Sequence, residues 1–163
     1  MDNPTIGHLL SETADLLEID GGDGFRIRSY RRAAEAAEQT TVELVPAASD
    51  AALLLEIPGI GKGMAANIQA IVLTGTLPLR EELLQKYGSG LLELLKLPGM
   101  GPKTVALLWA AAQINSIAQL AQAIPTHEAL KRVAALEEMR ENLGRNIKEY
   151  LAIDAAFLRA FGE

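Results

Sequence analysis

The sequence predicts an all-α fold of short helices arranged in two lobes, and three observations carry that prediction. Apolar residues recur at intervals of three and four along most of the 163 residues, the spacing of one helix face. No segment sustains the period-two alternation of a half-buried strand. The composition is 49% hydrophobic but only 4% aromatic, so the core must be built mostly from Leu, Ile, Val and Ala, and Leu and Ala are strong helix formers.

The elements follow in order. Asp2 or Asn3 caps a first helix with Pro4 in its first turn. Ile6, Leu9, Leu10, Thr13, Leu16 and Leu17 form its apolar stripe, and Gly21-Gly22-Asp23-Gly24 ends it. A second helix runs from about Arg26 to Thr41, with Ile27, Tyr30, Ala34 and Ala37 inward. Pro46 breaks the chain, and Ser49 or Asp50 caps a short helix through Leu55. Helices are then expected at 62–73, 79–87, 90–95, 102–113 and 117–123, the last capped by Ser116. Further helical spacing covers 128–135, 139–151 and 155–161. The division falls at Leu77-Pro78, giving lobes of 1–77 and 78–163. The expected core includes Leu9, Leu16, Ile27, Tyr30, Ile57, Ile68, Leu94, Leu97, Val105 and Leu108, and Trp109 is expected to pack rather than to stack on a base.

Between the short helices stands an internal repeat. Leu55-Glu56-Ile57-Pro58-Gly59-Ile60-Gly61-Lys62 is echoed by Leu95-Lys96-Leu97-Pro98-Gly99-Met100-Gly101-Pro102-Lys103, with the first glycines at 59 and 99. A third copy falls due near 137–141, where Glu137-Glu138-Met139-Arg140-Glu141 lacks the proline and both glycines. It reads as a degenerate third hairpin.

A Pro-Gly-x-Gly turn feeding a helix suits an anion. Proline stops the incoming helix. Glycines permit a left-handed turn and let the backbone come close to a ligand. The helix that follows begins with N–H groups that have no internal partner, and its dipole favours negative charge there. A phosphodiester oxygen fits, with Lys62 or Lys103 neutralising a neighbouring phosphate. Such contacts read no base, so binding without sequence preference is expected. The contact set is Gly59, Ile60, Gly61, Lys62 and Gly63 at the first turn, and Gly99, Met100, Gly101, Lys103 and Thr104 at the second.

The net charge of -6 opposes a grip by bulk electrostatics. Backbone amides soften that objection because they add no charge, and the charge is unevenly spread. The first 25 residues hold six acids and no Lys or Arg, after which Arg26, Arg28, Arg31 and Arg32 follow within seven residues. Arg26, Arg28, Tyr30 and Arg31 join the expected DNA-binding set, although Tyr30 is equally readable as a core aromatic. With no cysteine, disulfides and thiolate metal sites are excluded. His8 and His127 have no ligand-spaced neighbours. No apolar run is long enough to span a bilayer, and Met1-Asp2-Asn3-Pro4 has no basic signal region. A cytoplasmic protein without membrane attachment is expected.

Taken together, Asp15-Leu16-Leu17-Glu18-Ile19, Phe25-Arg26-Ile27-Arg28-Ser29-Tyr30-Arg31-Arg32-Ala33-Ala34, both hairpins and Thr74-Gly75-Thr76-Leu77-Pro78 resemble the N-terminal part of family X DNA polymerases, especially the bacterial ones. The resemblance implies a small helical domain that binds the 5′-phosphate side of a DNA gap, followed by a thumb-like subdomain that holds duplex. It implies that Arg26, Tyr30 and Lys62 line the 5′-phosphate pocket. It also implies a monovalent cation, Na or K, at the carbonyls of Ile57, Ile60, Leu97 and Met100 when DNA is bound.

Two departures bear on catalysis. The family's Schiff-base lysine is matched by Asn67, whose amide is no usable amine nucleophile, and no lysine lies between Gly63 and Arg80. The palm that follows in the family carries Gly-Ser and an Asp-x-Asp pair for two metals; here Gly88-Ser89 leads to Gly90-Leu91-Leu92-Glu93, and Asp-x-Asp is absent. The expected function is non-catalytic, sequence-independent binding of gapped, nicked or duplex DNA in repair, with a protein partner supplying catalysis. The alternative is an acidic helical scaffold that has lost DNA binding. The missing lysine and the lost third hairpin favour a divergent stand-alone protein.

Overall fold

The computed structural model describes residues 1–123 and is helical throughout, with nine helices and no strand among the described residues. The degenerate hairpin at 137–141 and the helices expected at 128–135, 139–151 and 155–161 lie outside the described residues. The chain separates into a first unit, 1–86, and a second beginning at Tyr87.

In the first unit, α1 (Asn3–Ile19) and α2 (Gly24–Gln39) pack as a close pair. Asp2 caps α1 by accepting the Thr5 N–H at 3.0 Å, and Asp23 caps α2 by accepting the Arg26 N–H at 2.9 Å. Gly7 allows the close crossing, since a Cβ there would stand 3.0 Å from the Ala34 carbonyl oxygen. Ile6, Leu10, Ala14, Leu17, Ile27, Tyr30, Ala33 and Ala37 fill the interface and are buried. Each fully buried large aliphatic contributes about 1.5–3 kcal/mol. Leu9, expected in this core, is only half-buried.

The Pro46 region differs from the sequence reading. A short helix, α3 (Leu44–Ala47), contains the proline instead of being broken by it. Pro46 stands in the first turn, where its missing N–H has no helical partner to lose. Asn3 ties the start of α3 to α1: its Oδ1 accepts the Leu44 N–H at 2.9 Å and its Nδ2 donates to the Val42 carbonyl at 2.8 Å. Then come α4 (Ala51–Leu55), capped by Asp50, and α5 (Lys62–Thr74), closed by Gly75 at φ 81°.

The first compact unit extends beyond Leu77-Pro78 to Lys86. Most of α6 (Pro78–Tyr87) belongs to the first unit. Arg80 on this helix donates to Glu12 of α1 at 2.8 Å, and Lys86 pairs with Asp20. These long-range ion pairs hold α6 to α1, and the division falls within its last turn.

The second unit holds α7 (Gly90–Leu95), α8 (Pro102–Ala112) and α9 (Ile117–Ala123). Gly90 leaves room for the Asn115-Ser116 turn: a Cβ would lie 2.3 Å from the Asn115 carbonyl oxygen. Asn115 Nδ2 donates to the Tyr87 carbonyl at 2.8 Å. Trp109 meets Tyr87 edge to face, with ring centroids 5.4 Å apart, so its role is packing as expected.

Candidate nucleic-acid interface

The repeat becomes two turns of the same backbone geometry. In the first, α4 ends at Glu56, the Ile60 N–H donates to the Ile57 carbonyl at 3.1 Å, Gly59 takes φ 97°, and α5 starts from Gly61 at φ -91°, ψ 175°. In the second, α7 ends at Lys96, the Met100 N–H donates to the Leu97 carbonyl at 3.0 Å, Gly99 takes φ 76°, and α8 starts from Gly101 at φ -79°, ψ 169°. Glycine is required at 59 and 99 because a left-handed residue there costs any side chain strain. Gly61 and Gly101 have an ordinary extended backbone, so a different reason must apply.

That reason is access. Helices α1, α2 and α4 begin on aspartates whose carboxylates accept a first-turn amide. Helices α5 and α8 begin on glycines and carry no side-chain cap. The first helical bond of α5 is Ala65 N–H to the Gly61 carbonyl at 2.8 Å, and that of α8 is Val105 N–H to the Gly101 carbonyl at 3.1 Å. The amides of Lys62, Gly63 and Met64, and those of Lys103 and Thr104, precede these bonds and have no acceptor within their own helix. A Cβ at Gly61, Gly63 or Gly101 would meet nothing within 4 Å. Proline at 102 removes one donor from the second turn.

The remaining expected contacts divide into three groups. The side chains of Ile60, Met100 and Thr104 are buried, and Ile57 lies with them beneath the turns. Leu97, expected in the core, is only half-buried. The Ile60 and Met100 amides are spent inside the turns, so among these buried residues only the Thr104 amide stands ahead of the first helical bond without a turn partner. Tyr30 is 2% exposed, and its hydroxyl accepts the Asn67 Nδ2–H at 2.9 Å. Its ring is therefore a core group that joins α2 to α5, not a surface contact. Asn67, at the position of the family's lysine, is held by the same bond.

Arg31 also departs from the expected set. Its guanidinium binds Asp15 at 3.3 Å and, more closely, Glu18, both on α1. Burial raises the Asp15 carboxyl above its ordinary range, only partly offset by Arg31. Arg32, one residue on, lies outside the expected contact set. It stands beside the first turn, where a Cβ on Gly59 would lie 3.3 Å from the Arg32 carbonyl oxygen and 3.2 Å from Ala36 Cβ. The signal was in the helical period, because Arg28, Arg32 and Ala36 share one stripe.

Among the described residues, the cations without a carboxylate partner are Arg26, Arg28, Arg32 and Lys62 in the first unit, and Lys96 and Lys103 in the second. Those away from the turns, Arg31, Arg80 and Lys86, are paired. The acidic surplus thus coexists with unpaired cations on α2 and in both hairpins. No group of three or more metal-ligating side chains occurs among the described residues, and no single described helix is long and apolar enough to cross a membrane.

These features define a tandem helix-hairpin-helix protein. Residues 1–77 match the model of a helix-hairpin-helix domain, and residues 91–151 match that of a SAM-like helix-hairpin-helix tandem. The chain is homologous to the N-terminal region of a family X polymerase, the DNA polymerase/3'-5' exonuclease PolX of Bacillus subtilis (strain 168): they are 32% identical over 123 residues, which is 76% of this chain. The chain spans about a fifth of that relative's length, 21%. The helix-hairpin-helix domains and this homology support DNA binding in a polymerase-like setting.

Proposed function

We propose that the chain is a non-catalytic DNA-binding module that grips the sugar-phosphate backbone through its two hairpins, with preference for gapped, 5′-phosphorylated DNA in repair. The observation that carries this reading is the pair of glycine-started helices, α5 and α8. Their first amides have no side-chain cap, and the unpaired cations among the described residues are Lys62, Lys96 and Lys103 at the hairpins and Arg26, Arg28 and Arg32 on α2, whose Arg32 backbone approaches Gly59. Arg26 and Lys62 are exposed and suit a doubly charged terminal phosphate, with Arg28 and Arg32 extending the positive surface.

A monovalent cation would sit at the turn carbonyls of Ile57, Ile60, Leu97 and Met100. The Ile57 and Leu97 oxygens each accept one turn hydrogen bond, which leaves a second lone pair for such an ion. It would bridge the turn to a phosphate oxygen. Chemistry on the DNA falls to a partner protein. Asn67 supplies no amine, and its amide is committed to Tyr30.

Fluorescence anisotropy on gapped DNA with and without a 5′-phosphate tests the proposal. With about four to six phosphate contacts, the log-log salt slope should be near -4 to -5, and removing the 5′-phosphate should weaken binding. An affinity indifferent to salt, or no binding to gapped, nicked or duplex DNA at low salt, refutes it. Borohydride trapping on a 5′-deoxyribose phosphate end checks the catalytic clause, with no covalent adduct expected.

A further inference from the structure

Because the two hairpins share one backbone, positions separated by 40 residues can be compared directly. Glu56 and Lys96 are such a pair. Each is the residue that ends the incoming helix, at φ -73°, ψ -18° and φ -77°, ψ -16°. Both are exposed, and neither has a side-chain ion-pair partner among the described residues. One carries a negative charge and the other a positive charge at the same position of the turn, five residues before the glycine that starts the outgoing helix.

We infer that this charge reversal sets which kind of phosphate each hairpin accepts: Glu56 restricts the first to a strand end, whereas Lys96 fits the second to an uninterrupted strand. The inference rests on the DNA-binding reading above and sharpens it. A phosphate inside a strand has a charged neighbour on each side, whereas a terminal phosphate has only one. At the second turn the neighbours meet Lys96 and Lys103. At the first turn one side offers Lys62 and the arginines of α2, and the other offers the unpaired Glu56 carboxylate. A continuous strand must bring a phosphate toward that carboxylate, and a terminal one need not. The lysines after the turns are offset too: Lys62 is the first residue of α5, whereas Lys103 is the second of α8, after Pro102. The two turns therefore differ on both sides of the amides.

The test compares two DNAs of equal length, an uninterrupted duplex and a gapped duplex with a 5′-phosphate. A unit charge about 8 Å from a phosphate across water changes binding about two- to threefold, so reversing one changes it about fivefold. Glu56→Lys should raise affinity for the uninterrupted duplex about fivefold at low salt and change the gapped DNA much less, reducing the preference. Glu56→Gln should move the same ratio about half as far on a logarithmic scale. Lys96→Glu should weaken binding to the uninterrupted duplex about fivefold. Both substituted positions are exposed surface, and circular dichroism checks the fold. Equal rises on both DNAs for Glu56→Lys, or no change on either, overturn the inference while the DNA-binding reading stands. Absence of binding by the wild-type chain to either DNA overturns that reading itself.

Discussion

Replacing Gly61 or Gly101 with aspartate should move stability and DNA affinity in opposite directions. Both glycines sit at backbone angles close to those of Asp2, which caps α1 at φ -114°, ψ 171°. Neither has an atom within 4 Å of where a Cβ would go. An aspartate there fits without strain and can take a first-turn amide, as Asp23 takes that of Arg26 and Asp50 that of Ala52. The cap contributes a few tenths of a kcal/mol over glycine, and the carboxylate at the positive helix end about 0.3–1 kcal/mol more. The melting temperature should rise by about 2–6 °C per substitution. The same carboxylate occupies the amides that would hold phosphate and repels the anion. Losing one set of charge-assisted hydrogen bonds, about 1.5–3 kcal/mol, weakens binding about tenfold to a hundredfold per hairpin. Thermal denaturation in a phosphate-free buffer and anisotropy at low salt read the two effects on the same samples. A variant with a raised melting temperature and wild-type affinity would falsify the claim that these helix ends hold DNA.

Other substitutions separate folding from binding. Gly59→Ala should destabilise the first unit by about 1–3 kcal/mol in urea, because φ is 97° and α2 lies against the site; an unchanged midpoint contradicts the geometry. Arg32→Ala should reduce the magnitude of the salt slope by about one unit, whereas Arg31→Ala should leave the slope intact because that guanidinium is already paired; the reverse result would reassign the contact. Asp15→Asn addresses pH. The folded Asp15 carboxyl is raised by burial, so the protonated form is favoured by folding, and the stability it provides below the unfolded value is lost as pH rises through the folded one. The asparagine variant should therefore gain on wild type as pH climbs from acid to neutral, and a relative loss over that window contradicts the assignment.

The sequence displayed the hairpins clearly because their glycines answer to local backbone requirements, and the Asp50 cap and the Gly75 stop are equally local. Other features depend on where distant elements land. Arg31 and Arg32 are adjacent, yet a turn of about 100° on α2 sends one toward the carboxylates of α1 and leaves the other's backbone beside the first hairpin. Tyr30 reads as a phosphate ligand until Asn67, 37 residues later, takes its hydroxyl. The tie between α6 and α1 is long-range as well: Arg80 and Glu12 are 68 residues apart, and no short-range pattern announces their pairing. Pro46 misled because a proline both ends helices and fits their first turn.

The uncapped starts of α5 and α8 also make folding answerable to the solution around the protein. A ligand that binds only the native hairpins adds RT ln(1 + [L]/Kd) to stability, about 2.7 kcal/mol at a hundred times Kd. Under the proposed phosphate grip, inorganic phosphate or sulfate would compete for the same amides. The melting temperature of this chain then becomes a titration curve for anions, and a routine change of buffer registers occupancy at the hairpins without any labelled DNA.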